Sequence, residues 1–389
     1  MISTANASEA APISVEELHD RGAIGALAGE WERLREEVAA AGGTRGPFLS
    51  ASWFAVQAAS MAPAGGGRAL KLLVAHRAGR VCGILPLVAE RRALVGVPAR
   101  LLRSLSDDHS QRFDLLADGD QAVAALFAHL AADRSWDALE LRDVVDGERA
   151  TGADRLVAIA RAAGFPDAAW PAMSSPYLAL PDSAAALDQK LDAKFRSNLR
   201  RRARKLTAEV GPIELERLTA SGGRAERELL DAALDDAFRL EAAGWKGSLG
   251  TAIACDAALA GRYRALARSA GDRLALYFLK VGGVRRAMHF AIVDGGVYYL
   301  FKPGYQPELA SYGLGHLLVD AVARDLIGRG VRELDFLGDD MPWKREWTDT
   351  ARAHSWRYVF RPTAFGRALH AWKFRLAPAM KRLRGRLER

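Results

Sequence analysis

The sequence predicts a mixed α/β (α+β) protein made of two similar units in tandem, and three observations lead to this fold class. A chain of 389 residues is long enough for two or three domains of about 100–200 residues each. Strand-like runs separated by glycine turns alternate with helical segments. The same order of segments occurs twice, at an offset of about two hundred residues, which is the pattern expected of an internal duplication.

The first unit begins with a hairpin signal between Ala69 and Val88, where two apolar runs flank a turn at Gly79. A helical segment near Gln121–Ala132 and a strand-like Trp136–Leu141 follow it. We therefore predict a first domain over residues 1–180.

The second unit repeats this order. Between Arg273 and Leu300, three strand-like runs are separated by two glycine turns. A helix is predicted from about Leu314 to Ile327, and a strand over Glu333–Leu337. The second domain is predicted to cover residues 181–360, followed by a basic tail over 361–389.

Two helices are predicted between the repeated segments, over Leu187–Glu209 and roughly over Glu226–Glu241. The first has a leucine- and phenylalanine-rich face and seven basic residues within twelve positions: Lys194, Arg196, Arg200, Arg201, Arg202, Arg204 and Lys205. Like charges on one helix repel each other, so an anionic partner would stabilise it. That partner is a coenzyme phosphate, a phosphate-linked acceptor or an acidic group such as Asp339 or Asp340; a solvated face is the alternative.

The net charge of +8 lies in the tail, because residues 361–389 contain nine Arg or Lys and one Glu. The rest of the chain has a formal charge of zero, which argues against a protein-wide DNA-binding surface. The tail interleaves basic with large apolar residues, as expected of a peripheral contact with an anionic membrane or of a disordered solubilising end. Neither a leader peptide nor an apolar run long enough to span a bilayer is present, so we expect a cytoplasmic protein, with membrane contact at the inner face.

Glycines open the helix predicted after Tyr305. Gly313 and Gly315 stand at its start, where unpaired backbone N–H groups can receive a pyrophosphate. An ordinary tight turn would have the same sequence.

This arrangement resembles the GNAT acyltransferase superfamily. The segment RELDFLGDDMPWKREW (Arg332–Trp347) is similar to the D-F-x-x-G-x-x-x-Y-K-x-x-W signature of the CelD-like (cellulose-biosynthesis type) acetyltransferases, in the FemAB-related group, with Trp343 where tyrosine is usual. Pro47–Phe54, Lys194–Leu206 and Glu241–Ile253 are also similar to that family. Ala310 and Tyr312 depart from the family's usual coenzyme loop.

The resemblance implies two GNAT-like units, the first non-catalytic and the second holding acetyl-CoA or another acyl-CoA. The acyl group would pass directly to the amine or hydroxyl of a small-molecule or glycan-precursor acceptor, in polysaccharide or cell-envelope biosynthesis. The cofactor-binding residues would be Tyr299, Leu300, Gly313, Leu314, Gly315 and His316. The catalytic residues would be Asp335 as base or base-orienting group, Lys344 as electrostatic contact and Tyr305 as proton donor. The substrate-binding residues would be Arg196, Arg200, Glu241, Trp245, Lys246 and His289.

Two other functions remain open on the sequence. One is a FemAB-like transfer from aminoacyl-tRNA, in which the basic helix would contact RNA phosphates. The other is a non-catalytic scaffold at a membrane surface. No metal site is predicted, because His109 with Asp107 and Asp108 has no further ligand at a suitable spacing.

Overall fold

The computed structural model describes residues 11–61, 67–147, 150–244, 250 and 252–380. The chain forms two compact units. Unit 1 comprises residues up to Met173 together with those from Ala353 onward, and unit 2 comprises Ser174–Arg352. This division differs from the predicted boundaries of 1–180, 181–360 and 361–389, because the last strand and the segment after it belong to unit 1.

Unit 1 contains strands and helices that alternate along the chain. Its strands are β1 (Ile13–Leu18), β2 (Arg68–Arg77), β3 (Arg80–Leu94), β4 (Val97–Ser104), β5 (Leu116–Ala117) and β6 (Ala138–Val145). Its helices are α1 (Gly22–Ala26), α2 (Ala28–Ala40), α3 (Ala51–Ala59), α4 (Asp120–Ala132) and α5 (Gly152–Ala162), with a 3₁₀ turn at Pro47–Leu49. Strand β7 (Asp167–Ala179) then leads into unit 2.

Unit 2 begins with helices α6 (Ala184–Lys190) and α7 (Ala193–Glu209), strand β8 (Ile213–Leu218) and helices α8 (Arg224–Ala242) and α9 (Ala257–Ala270). It continues with β9 (Leu274–Val281), β10 (Val284–Asp294), β11 (Val297–Tyr305), α10 (Leu314–Gly328), β12 (Glu333–Asp335) and α11 (Pro342–Arg345). Short 3₁₀ turns lie at Ile253–Cys255, Gly271–Arg273 and Pro307–Tyr312. Strand β13 (Ala351–Phe360) returns the chain to unit 1, which ends in α12 (Ala364–Ala371) and a π-helical turn at Trp372–Leu376.

The strand pairing repeats between the units, which confirms the duplicated α+β fold. In unit 1, β1 to β4 form antiparallel pairs in chain order, and β4 pairs in parallel with β6 across helix α4. In unit 2, β8 to β11 do the same, and β11 pairs in parallel with β12 across α10. Parallel neighbours require such a crossover helix, so the glycine turns and helices read from the sequence lead to the same topology twice.

One predicted helix is two helices in the structure. The segment Leu187–Glu209 is broken between α6 and α7, because the Asp192 side chain accepts a hydrogen bond from Phe195 N at 2.9 Å and caps a new helix there. An N-cap residue has extended rather than helical backbone angles, so it cannot continue the preceding helix. The apolar faces of both helices still pack into one core with α10 and the sheet of unit 2.

No helix in the described part of the chain is long and apolar enough to cross a bilayer.

Candidate active site

An opening in the sheet of unit 2 is the first feature of the site. Strands β11 and β12 pair only from Val297 to Tyr299 with Glu333 to Asp335, although β11 continues to Tyr305. The register between β10 and β11 shifts after Leu300, which leaves Phe301 as the extra residue of a bulge. Bulges bend a strand away from its neighbour. Beyond Tyr299, the backbone edge of β11 that faced β12 is therefore not part of that ladder.

The start of α10 is the second feature. Gly313 precedes the helix with φ 68° and ψ 42°, a left-handed conformation that suits glycine, and no side chain caps the helix. The N–H groups of Leu314, Gly315 and His316 have no acceptor within their own helix, because the first turn never does. A Cβ atom on Gly315 would meet only the Tyr305 ring, at 3.8 Å. The helix start thus presents open backbone donors beside Tyr305.

Arg202, from helix α7, adds a positive charge at the same place. A Cβ atom on Gly313 would lie 2.9 Å from Arg202 Nη1, so the guanidinium occupies the space beside this glycine. Within the residues that the structure describes, Arg202 makes no ion pair. Burial lowers the pKa of His316, and the charge of Arg202 lowers it further, while Glu346 opposes them. Helix N–H groups and an arginine together favour an anion.

Asp335 lies under the turn that follows β12. Its carboxylate is fully buried and accepts a hydrogen bond from Leu337 N at 2.9 Å, where the backbone turns through left-handed angles at Leu337 and Gly338. Arg352 Nη1 donates to Asp335 Oδ2 at 3.1 Å. The same guanidinium lies 3.6 Å from the centre of the Tyr177 ring. These contacts give Asp335 an orienting position in the turn; its role as a base stays a prediction.

Lys344 is tied into the same turn. Its ammonium donates hydrogen bonds to the carbonyl oxygens of Leu337 and of Asp339, the latter at 2.6 Å, and only 4% of the residue is exposed. Nζ lies 5.8 Å from the centre of the Trp343 ring. These contacts indicate that the lysine holds the turn closed. Its predicted electrostatic role toward a substrate would require the ammonium to leave them.

Aromatic side chains connect this turn to the start of α10. Trp347 Nε1 donates a hydrogen bond to His316 Nδ1 at 3.1 Å, and the Phe195 ring lies 5.0 Å from Trp347. Phe336 and Trp343 are in contact at 5.4 Å. His316 therefore accepts a hydrogen bond at Nδ1, and its ring is positioned by contacts with Trp343 and Trp347 of the signature segment. The signature segment thus packs against the start of α10. We call this helix start, with Gly313, Gly315 and Arg202, the cradle.

The predicted substrate residues do not form one group. Arg196 donates to the Asp188 carbonyl oxygen, and Arg200 pairs with the Asp188 carboxylate at 3.0 Å. Asp188 also pairs with Arg324 at 2.6 Å, so this acid, rather than Asp339 or Asp340, neutralises part of the basic helix. Both arginines line an open groove along the outer side of α7, with Ala193, Ser197, Ala203 and Arg204.

Glu241 and His289 occupy other places in unit 2. Glu241 is buried and accepts a hydrogen bond from Ile253 N at 2.9 Å, and its backbone lies against Gly304 near the end of β11. His289 is a core residue that contacts Tyr298 Oη at 3.2 Å, and burial lowers its pKa to about 3. Trp245 and Lys246 lie outside the described residues.

The structure thus brings together Tyr305, Gly313, Leu314, Gly315 and His316 at one helix start, with Tyr299 and Leu300 buried at the strand opening. The sequence analysis named Arg202 only as one of seven basic residues on its helix, chose Arg196 and Arg200 as site residues, and did not mention Arg352. A signal for Arg202 was present: it follows Phe195 and Leu199 at the spacing of the buried face of α7, with Leu206 one turn later. A basic residue on the inward face of a helix indicates a local partner for its charge. Nothing comparable marks Arg352.

The family comparison agrees with this geometry. Residues 193–345 match the family model described as an acetyltransferase (GNAT) domain. This part of the chain is similar to a GNAT acetyltransferase domain. The match spans the basic helix, the open part of β11, the start of α10 and the signature segment, and it indicates an acyltransferase. No curated protein sequence matches the chain.

Solved structures are similar to the chain over most of its length. FemX is 12% identical, with a TM-score of 0.54, and the match covers 89% of this chain and 98% of FemX. A C-terminal domain (DUF2156) from Agrobacterium fabrum, assigned to a lysylphosphatidylglycerol synthetase, is 10% identical, with a TM-score of 0.50 and coverage of 89% and 95%. At such low identity these two likenesses establish the shared fold alone.

Proposed function

We propose that the protein transfers an acyl group from acyl-CoA directly to an amine or hydroxyl group of its acceptor. The observation that carries this proposal is the meeting of three features at one place: the open edge of β11, the unpaired N–H groups at the start of α10, and the guanidinium of Arg202. Each feature suits one part of an acyl-CoA molecule. The acetyl group in particular is part of the proposal, taken from the family resemblance.

The residues at the start of α10 fit a pyrophosphate. Gly313 and Gly315 place no side chain beside the backbone N–H groups of the helix start, and a side chain at Gly313 would also displace Arg202. Arg202 would neutralise phosphate charge and form charge-assisted hydrogen bonds. The backbone donors do not depend on the residues at Ala310 and Tyr312, where the sequence departs from the usual loop of the family that it resembles. The Tyr312 hydroxyl instead donates to Glu209 at 2.6 Å. The cradle therefore fits the coenzyme without the usual loop side chain.

The residues of the opening have separate tasks in this proposal. When bound, acyl-CoA supplies an acyl thioester. Backbone N–H groups of β11 beyond Tyr299 would polarise the carbonyl oxygen, since preorganised donors stabilise developing negative charge. Attack by the acceptor would break the bond between the acyl carbon and the sulfur. The Tyr305 hydroxyl, on an exposed side chain beside Gly315, would donate a proton from its Oη to the leaving coenzyme A thiolate, and the acceptor's own proton would return to the tyrosine or pass to water. Asp335 and Lys344 would hold the turn behind His316 in place.

Unit 1 supports the assignment of the cofactor to unit 2. Its corresponding helix, α4, follows Gly119 and carries Asp120 in its first turn. An acidic side chain at a helix start interacts favourably with the helix dipole but repels a phosphate. We therefore propose unit 1 as the non-catalytic unit. A glycan-precursor acceptor in cell-envelope chemistry rests on the family resemblance.

The alternative, transfer from aminoacyl-tRNA, is favoured by the basic groove of Arg196, Arg200 and Arg204 on the outer side of α7. Such a groove would bind phosphates of RNA, and its affinity would fall steeply between 50 and 200 mM salt, on the order of 10³-fold for six phosphate contacts. Acyl-CoA binding through one cradle would fall far less over that range. The two donors are therefore distinguishable by salt dependence alone.

Isothermal titration calorimetry with acetyl-CoA tests the proposal. We expect binding by the unaltered protein, and Arg202→Gln should raise the Kd about 10- to 100-fold, because a hydrogen bond to a charged group contributes roughly 1.5–3 kcal/mol. Arg204→Gln is the matched control, since this side chain lies on the outer groove of the same helix. Gly313→Ala should also weaken binding, because its Cβ would lie 2.9 Å from Arg202 Nη1. Absence of acetyl-CoA binding, or equal loss in both arginine variants, would refute the cradle.

A further inference from the structure

The segment after the last strand forms a helix with an exposed apolar face and a face that packs against unit 1. Helix α12 continues into the π-helical turn Trp372–Leu376 and on to Met380. Phe365, Ala368, Trp372, Leu376 and Met380 recur at intervals of three, four, four and four residues. This spacing places them on one side of a helix. The longer π turn keeps them in line, because it inserts extra backbone between Trp372 and Leu376.

A second face of this helix is already packed within unit 1. Leu369 is buried in a core with Tyr358 and Phe360 of β13. Phe374 lies 5.3 Å from the Tyr358 ring and 6.0 Å from the Trp170 ring. Trp372 Nε1 donates a hydrogen bond to the Val95 carbonyl oxygen at 2.9 Å. The helix is thus held firmly, with its apolar stripe turned away from the core.

The apolar stripe is open to solvent. Phe365 is 44% exposed, Leu376 54% and Met380 47%. Val95 and Trp170 of unit 1 are exposed apolar side chains beside the same helix. The Val95 carbonyl oxygen accepts a hydrogen bond from Trp372, and the Trp170 ring contacts Phe374, so both extend the patch. Large exposed apolar patches mark interaction surfaces, and aromatic side chains such as these suit the boundary between water and lipid.

Positive charge surrounds this patch. Arg367 and Arg375 are exposed on the helix, and Lys373 Nζ lies 5.4 Å from the centre of the Trp170 ring. Arg91 and Arg92, near the Val95 turn, are exposed as well. A second copy of this chain would bring like charges together here, whereas an anionic surface would neutralise them.

We propose that this helix is a membrane-docking element that lies in the surface of an anionic lipid bilayer. The exposed side chains of Phe365, Leu376 and Met380 would enter the headgroup region, while Trp372 stays bonded to Val95. The flanking arginines and lysines would contact anionic headgroups. The inner face, fixed by Leu369 and Phe374, would keep unit 1 attached to the bilayer surface. The proposal is independent of the acyl donor, and an acceptor presented at a membrane would fit it.

Vesicle flotation tests the proposal with the full-length protein. We expect binding to vesicles of phosphatidylcholine with 30% phosphatidylglycerol, and at least about tenfold weaker binding to pure phosphatidylcholine, since each basic residue near an anionic surface contributes about fivefold. The double variant Phe365→Glu/Leu376→Glu should lose at least about tenfold in binding to the anionic vesicles. Both side chains are exposed, so circular dichroism should show an unchanged fold.

The double variant Leu229→Glu/Val284→Glu is the matched control, because these side chains of unit 2 are 66% and 49% exposed and the changes add the same two negative charges. It should bind the anionic vesicles like the unaltered protein. Equal binding by the Phe365→Glu/Leu376→Glu variant, or failure of the unaltered protein to bind either vesicle, overturns the proposal. A dimer in light scattering that the Phe365→Glu/Leu376→Glu variant abolishes, without vesicle binding, would assign the patch to a second copy instead. Acetyl-CoA affinity should be the same in all these variants, which separates this test from that of the acyl donor.

Discussion

Replacement of Lys344 by methionine separates a structural from a chemical role of this residue. The ammonium donates to the carbonyl oxygens of Leu337 and Asp339 and is almost fully buried. Two hydrogen bonds from a charged donor stabilise the fold by roughly 1.5–3 kcal/mol each, and removal of the buried charge returns part of this. We therefore expect Lys344→Met to lower the free energy of unfolding by about 2–4 kcal/mol.

Thermal unfolding followed by tryptophan fluorescence suits this measurement, because Trp343 and Trp347 flank the turn. For a unit of this size, about 2–4 °C of Tm is lost per kcal/mol, so a decrease of roughly 5–15 °C is expected. Arg345→Met on the same short helix is the control. That side chain pairs at the surface with Asp340 at 2.5 Å, and an exposed ion pair is screened by water, so its loss should leave the Tm nearly unchanged.

The opposite result would refute the structural role. If Lys344→Met keeps the Tm of the unaltered protein but lowers acyl transfer tenfold or more, at least about 1.4 kcal/mol of transition-state stabilisation belongs to the ammonium. The lysine would then leave its carbonyl partners during the reaction, as the sequence-based hypothesis requires.

Two further predictions concern stability. Burial raises the pKa of Asp143 to about 6, above its unfolded value near 4, so its contribution to stability is present at pH 4 and lost as pH rises through 6. Asp143→Asn can still accept a hydrogen bond from Trp356 Nε1. In urea unfolding, it should raise the free energy of unfolding by up to about 3 kcal/mol at pH 7 and leave it unchanged at pH 4. Parallel pH profiles of the two proteins would contradict this. Gly304→Ala should destabilise unit 2 by about 1–3 kcal/mol, because its Cβ would lie 2.8 Å from the Glu241 backbone. Gly261→Ala on α9 meets no neighbouring atom and should stabilise unit 2 by about 0.5–1 kcal/mol. Equal effects of the two substitutions on Tm would refute the close approach at Gly304.

Local sequence signals predicted most elements of the fold. The glycine turns at Gly79 and Gly282–Gly283 end strands where the structure ends them, because left-handed backbone angles are accessible to glycine. Gly313 marks the start of α10 for the same reason. The repeated order of hairpin, helix and strand predicted the duplication. The break before α7 was missed, although Asp192 is a typical cap, since the apolar spacing continues across it.

The site contains contacts between residues on different elements, and these contacts could not be predicted from the sequence. Arg196 and Arg200 were expected to face a substrate. In the structure, Arg196 donates a hydrogen bond to the backbone carbonyl oxygen of Asp188, and Arg200 forms an ion pair with the Asp188 carboxylate. Arg202, two residues further on, faces the cradle instead, because a helix turns its side chains by about 100° per residue. Asp335 was expected to act as a base or to orient one. In the structure, its carboxylate accepts a hydrogen bond from Arg352, a residue that follows later in the chain.

The sequence by itself determined which segments form strands and helices, where glycine is required, and to which family the central segment is similar, since these depend on residues close together in the chain. Only the tertiary structure decided which charges are neutralised within the protein and which remain for a ligand. Ion pairs and close backbone contacts join residues whose separation along the chain is unrelated to their distance in space.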